Sequence, residues 1–183
     1  MASLTIAVLV GSLRKASFNA RLAGAMARLA PGDVEFQRQR LDDLPPYDQD
    51  DDDDQPAPAR RLKQAISAAD GVLFVTPEYN RSVPGVLKNA IDHASRPYGK
   101  SAFAGKPAGV LGVSIGAIGT ACAQQHLRTI LAYLDMPTLG QPEVFLKADD
   151  GLFDDDGGIG ADSREFLQGW MDRYLAWVRA HAA

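Results

Sequence analysis

Along most of this chain, short unbroken apolar runs alternate with stretches whose apolar residues recur at helical spacing. Leu4 to Val10 is the first run, closed by Gly11, and its lack of alternation predicts a strand buried on both faces. Residues 18–29 then set Leu22, Ala23, Met26 and Leu29 on one helical face. Residues 34–41 alternate instead, Val34 and Phe36 against polar neighbours, which predicts a half-covered edge strand. A helix follows, with Leu62, Ala65, Ile66 and Ala69 at i, i+3, i+4 and i+7. The cycle repeats through a run at Gly71 to Thr76 and a helical face at Leu87, Ala90, Ile91 and Ala94. It repeats again through Pro107 to Ser114 and Leu127, Ile130, Leu131 and Leu134. Thr138 to Leu146 predicts a weaker fifth strand, interrupted by Pro142, and a last helix at 162–180 carries Phe166, Trp170, Tyr174 and Trp177.

Five strands interleaved with five helices define an α/β protein with a parallel sheet covered on both faces, because right-handed crossovers place helices there. Ligands of such sheets sit beyond the carboxyl ends of the strands, where strand order reverses. The residues after Val10, Thr76 and Ser114 are therefore expected to form the site. With 183 residues and no linker-like stretch, the expectation is one domain spanning 1–183.

The first of these loops, Gly11 to Asn19, reads GSLRKASFN. With one glycine and no GKS or GKT ending, it is neither of the common nucleotide loops, GxxxxGKS/T or GxGxxG. It offers Ser12, Ser17 and Asn19 as hydrogen-bond partners and Arg14 as a cation, where backbone N–H groups at a helix start already favour an anion. A terminal phosphate monoester calls for this kind of cradle; a helix cap at Ser17 with Arg14 in solvent is the alternative. The second, TPEYNRSVPG from Thr76 to Gly85, crowds Glu78, Tyr79, Asn80, Arg81 and Ser82 between Pro77 and Pro84. That density exceeds what a surface turn needs and suits the edge and face of a planar heterocycle. In the third, SIGAIGTA from Ser114 to Ala121, Gly116 and Gly119 leave room for a flat ligand near the backbone.

Composition narrows the classes of function. A net charge of −4 runs against nucleic-acid binding, which usually needs a basic face. A single cysteine, Cys122, excludes an internal disulfide and any CxxC motif, so redox chemistry would have to come from a cofactor. The three scattered histidines give no zinc-site spacing. The beginning of the chain lacks a signal-peptide pattern, and no apolar run approaches the ~20 residues of a membrane span, so a cytoplasmic location is expected. Eight aspartates between Asp42 and Asp54 predict a solvated, mobile loop, or else an acidic docking surface.

Taken together, GSLRKASFN, the string PEYNRSVPGVLKNAID from Pro77 to Asp92, SRP at Ser95 to Pro97, GKPAGVLGVS from Gly105 to Ser114 and HLR at His126 to Arg128 resemble the NADPH-dependent FMN reductase family. That family includes bacterial quinone, chromate and azo-dye reductases, and the likeness covers the chain from Thr5 to about Phe145. The resemblance implies a flavodoxin-like three-layer sandwich of strand order 2-1-3-4-5. It implies that Ser12, Arg14, Ser17 and Asn19 hold the FMN phosphate, that Pro77, Glu78, Tyr79, Asn80 and Ser82 line the flavin, and that Ser114 and Gly116 close its other edge. It also implies two-electron transfer from NAD(P)H to small acceptors by ping-pong turnover at one open face, no catalytic acid or base, and a homodimer or homotetramer. His93 stands where the family usually carries tryptophan, and is expected to be structural. A flavodoxin-type electron carrier, docking through Asp50 to Asp54, is the competing reading. For the 2′-phosphate of NADPH the sequence offers Arg14, Arg81 and Arg96 without ranking them.

Overall fold

A computed structural model describes residues 3–182. Strands β1 (Leu4–Val10), β2 (Val34–Arg38), β3 (Gly71–Val75), β4 (Ala108–Ser114) and β5 (Phe145–Lys147) form one sheet of order β2-β1-β3-β4-β5. Every pairing is parallel. The intervening helices are α1 (Phe18–Ala27), α2 (Ala57–Ala68), α3 (Gly85–Ser95), α4 (Ala121–Tyr133) and α5 (Ala161–His181).

Period-two alternation divides the core. Ile6, Val8 and Val10 of β1 point to the face covered by α1 and α5, whereas Ala7 and Leu9 point to the face covered by α2, α3 and α4. Because both faces are covered, β1, β3 and β4 read as unbroken apolar runs. Each fully buried aliphatic chain contributes about 1.5–3 kcal/mol relative to exposure. Edge strand β2 is half-covered, as its alternation predicted: Val34 and Phe36 pack on the α1/α5 side.

Three expectations need correction. The fifth strand is shorter than predicted: β5 holds only Phe145–Lys147, and Thr138 contributes an isolated bridge to Ala108. The buried stripe of α5 is Leu167, Trp170, Met171, Tyr174, Leu175 and Val178, while Phe166 is exposed. Trp170 and Tyr174 stack at 5.3 Å and lie directly on β4, where a Cβ at Gly109 would fall 2.7 Å from the Tyr174 ring. The acidic stretch, finally, is anchored rather than loose. Asn89 of α3 accepts from the Tyr47 N–H and donates to the Pro45 carbonyl, each at 2.8 Å, and Arg61 of α2 forks onto Asp43 at 2.8 and 2.9 Å.

His93 belongs to the same anchor. It is buried, with Nε2 2.9 Å from the Pro45 carbonyl oxygen and its ring edge-on to Tyr47. A structural role fits these contacts.

Candidate functional site

The loops following β1, β3 and β4 converge at the carboxyl end of the sheet. Gly11 permits the first two to touch: a Cβ there would sit 3.2 Å from the Pro77 ring. Between the loops lies a cavity of about 390 Å3, lined by Ser12, Arg14, Ser17, Asn19, Pro77, Glu78, Tyr79 and Ser114, all expected from the sequence. Phe18, Val113 and Ile115 complete the lining, and the sequence reading missed them. Ile115 is 77% exposed in the loop after β4, and its place one residue after Ser114 was the signal available in the sequence.

Asn80, Ser82 and Gly116 do not line this cavity. Asn80 and Arg81 carry φ of 51° and 64°, and Tyr79 and Ser82 exchange backbone hydrogen bonds of 3.2 and 3.0 Å across them. Two successive left-handed residues inside a two-residue loop make a type I′ turn. The Ser82 hydroxyl leaves the cavity and meets His126 Nδ1 at 2.9 Å. Gly116 is exposed, and its carbonyl accepts the Ser114 hydroxyl at 3.1 Å.

Several lining residues already have structural partners. Asn19 donates to the Val113 carbonyl at 2.9 Å and accepts from the Val113 N–H at 3.1 Å, clamping α1 to β4. Ser17 caps α1, its oxygen accepting from Ala20 N–H at 3.2 Å. That bond uses a lone pair and leaves the hydroxyl proton free to donate, so capping and anion binding are compatible. Glu78 Oε2 accepts from Ala123 N–H at 3.1 Å, capping α4 from a loop forty-five positions upstream.

Two groups remain uncommitted. Ser12 is buried at 4% exposure, and its hydroxyl makes no hydrogen bond among the described residues. Arg14 is exposed, lies 5.1 Å from the Phe18 ring centroid and has no carboxylate partner among the described residues. The first turn of α1 contains no acidic residue. The positive end of α1 is thus left to an anion.

A five-stranded parallel sheet of this order, with its cavity at the β1/β3 switch point, defines a flavodoxin-like domain. Residues 4–150 match the family of NADPH-dependent FMN reductases. The chain is 56% identical over 178 residues to a 2-hydroxy-1,4-benzoquinone reductase of a Burkholderia species, covering 97% of each chain. It is 47% identical over 180 residues to a quinone reductase of Pseudomonas putida, covering 98% of this chain and 97% of that one. Its fold matches FerB, a flavoenzyme NAD(P)H:(acceptor) oxidoreductase of Paracoccus denitrificans, with a TM-score of 0.94, 42% identity, and coverage of 98% and 100%. The chain belongs to the NADPH-dependent FMN reductase family.

The cavity fits the family's cofactor. Its volume lies within the 300–1,000 Å3 range usual for cofactor sites. Its lining offers free hydroxyl donors and a guanidinium at a helix start, together with the Pro77 ring, Tyr79 and Ile115.

Proposed function

We propose that this chain, working as one unit over 1–183, is an FMN-dependent NAD(P)H oxidoreductase that reduces small acceptors of the quinone class. The observation that carries this reading is the Ser12 hydroxyl, unpartnered among the described residues and open to the cavity from an otherwise buried residue, together with Arg14 at the start of α1. The other walls of that cavity include Pro77, Tyr79 and Ile115. Ser12, Arg14 and Ser17 would hold the phosphate, with Asn19 fixing the loop. Pro77, Tyr79, Ser114 and Ile115 would bound the ring, and the backbone of Glu78 to Asn80 would face its polar edge. When bound, FMN supplies the two-electron chemistry, taking a hydride from the nicotinamide and passing both electrons to the acceptor.

Tyr79 is 50% exposed and Ile115 is likewise open, so the cavity has an apolar mouth. Donor and acceptor would enter by that mouth in turn, which is ping-pong turnover. No helix among the described residues is long and apolar enough to cross a membrane, which accords with a cytoplasmic enzyme. Tyr98 and Tyr133, 84% and 74% exposed, border one groove and support self-association as a homodimer or homotetramer.

The test is to purify the protein, record its visible spectrum, and assay NADH and NADPH against a quinone panel. A bound flavin spectrum with steady nicotinamide oxidation and parallel double-reciprocal lines is expected. A protein that takes up FMN and is reduced once, without turnover, would instead be an electron carrier.

A further inference from the structure

A second cavity, of about 370 Å3, lies on the other side of Ser12, which lines both. It opens at the carboxyl ends of β1 and β2, where Arg38 pairs in register with Val8 and the Gln39 N–H bonds the Val8 carbonyl at 2.9 Å. Val10 and Leu41 give it an apolar floor, and Leu13, 55% exposed, stands at its edge. Its charged groups are Arg38, Arg40 and Asp42.

Those three charges are arranged for an anion. Arg40 forks onto Asp42 at 3.2 and 3.1 Å, so the carboxylate is already matched. Arg38 is exposed and makes no ion pair among the described residues. One guanidinium is therefore left over in a cavity of mixed polar and apolar lining that shares Ser12 with the first. A purine against the open side chain of Leu13 with a phosphate monoester on Arg38 satisfies both features.

The arginines expected from the sequence are placed less well. Arg81 lies 3.4 Å from Glu78, Arg96 caps the far end of α3, and Arg14 belongs to the first cavity. We infer that the second cavity receives the adenosine end of the reduced nicotinamide, and that Arg38 binds the 2′-phosphate that distinguishes NADPH from NADH. This assignment rests on reading the first cavity as the flavin site.

The test compares the flavin-loaded parent with Arg38→Gln and Arg38→Lys. Calorimetry measures binding of adenosine 2′,5′-bisphosphate and of 5′-AMP, and steady-state assays give kcat/KM for NADPH relative to NADH. Loss of one charge-assisted contact at an exposed site should weaken bisphosphate binding about tenfold in Arg38→Gln while 5′-AMP changes little. The NADPH:NADH preference should fall by a similar factor, and Arg38→Lys should restore part of both. Equal effects on the two fragments, no effect on either, or loss of FMN from Arg38→Gln would overturn the assignment. A parent that holds no FMN but binds the bisphosphate through Arg38 would refute the flavin reading alone and uphold the phosphate contact.

Discussion

Glu78 offers the sharpest separation between a residue that builds the site and one that touches its ligand. Helix α4 starts after Thr120, whose φ is 74° and whose side chain makes no cap, and of its first N–H groups Ala121 bonds the Ile118 carbonyl at 3.2 Å while Ala123 has no cap from Thr120. Glu78 Oε2 takes the Ala123 N–H at 3.1 Å instead, and its side chain is only 9% exposed. Removing a side-chain cap costs about 0.5–2 kcal/mol, and removing a negative charge from a helix N-terminus about 0.3–1 kcal/mol more. The Arg81 contact, at 3.4 Å to a side chain 66% exposed, adds little. Glu78→Ala should therefore lose about 2 kcal/mol, while Glu78→Gln, which keeps an acceptor, should lose about 0.5 kcal/mol. For a chain of this size each kcal/mol moves Tm by about 2–4 °C, giving drops of about 4–8 °C and about 1–2 °C. Scanning calorimetry with and without saturating FMN should show the same drop in both states. An unchanged Tm in flavin-free Glu78→Ala would refute the capping argument. A drop confined to the flavin-loaded protein would assign the carboxylate to the ligand.

Four further outcomes are expected. Arg14→Ala should weaken FMN binding about tenfold and leave riboflavin unaffected, since a charge-assisted contact contributes about 1.5 kcal/mol at the low end; fluorescence titration checks both ligands. Asn19→Ala leaves the Val113 N–H and carbonyl without their partner and should cost about 3 kcal/mol, read from the urea midpoint; a cost near zero would dissolve the clamp. Tyr174→Phe should be neutral or stabilising by up to about 1 kcal/mol, because the Tyr174 hydroxyl is buried without a partner and burial already pushes its pKa up. Replacing Asp50 to Asp54 together with asparagine should keep turnover of a neutral quinone within about twofold, since exposed charges act over only ~10 Å in ordinary salt.

Much of the fold was legible because two-sided burial leaves a plain mark. The runs at Leu4–Val10, Gly71–Val75 and Ala108–Ser114 have no other explanation than covered strands. The edge position of Val34–Arg38 followed equally from its alternation. Misreadings arose where a residue's bulk was mistaken for its direction. On α5 the aromatic spacing drew attention to Phe166, whereas Leu167 and Met171 share the buried stripe with Trp170 and Tyr174. The acidic stretch misled differently. Its aspartates dominate locally, but its anchors, Asn89 and His93, come from a helix some forty positions later.

The site residues follow a related rule. Position after a buried strand pointed to all three loops, whose residues line one cavity, yet polar density alone did not tell which side chains enter it. Several polar groups in the Pro77 to Ser82 segment are engaged within the protein: Glu78 by α4, Arg81 by Glu78, and Ser82 by His126. In the first loop Asn19 is consumed by Val113, while Ser17 keeps only its proton. A polar group that opens on a cavity and finds no partner inside the chain is free to meet a ligand there. Ser12, Arg14 and Arg38 meet that condition among the described residues, and they are the side chains proposed to contact ligand. Ser12 lines both cavities, Arg14 the first and Arg38 the second, so in the proposed reading a phosphate of the flavin and a phosphate of the nicotinamide would sit on opposite sides of one short loop.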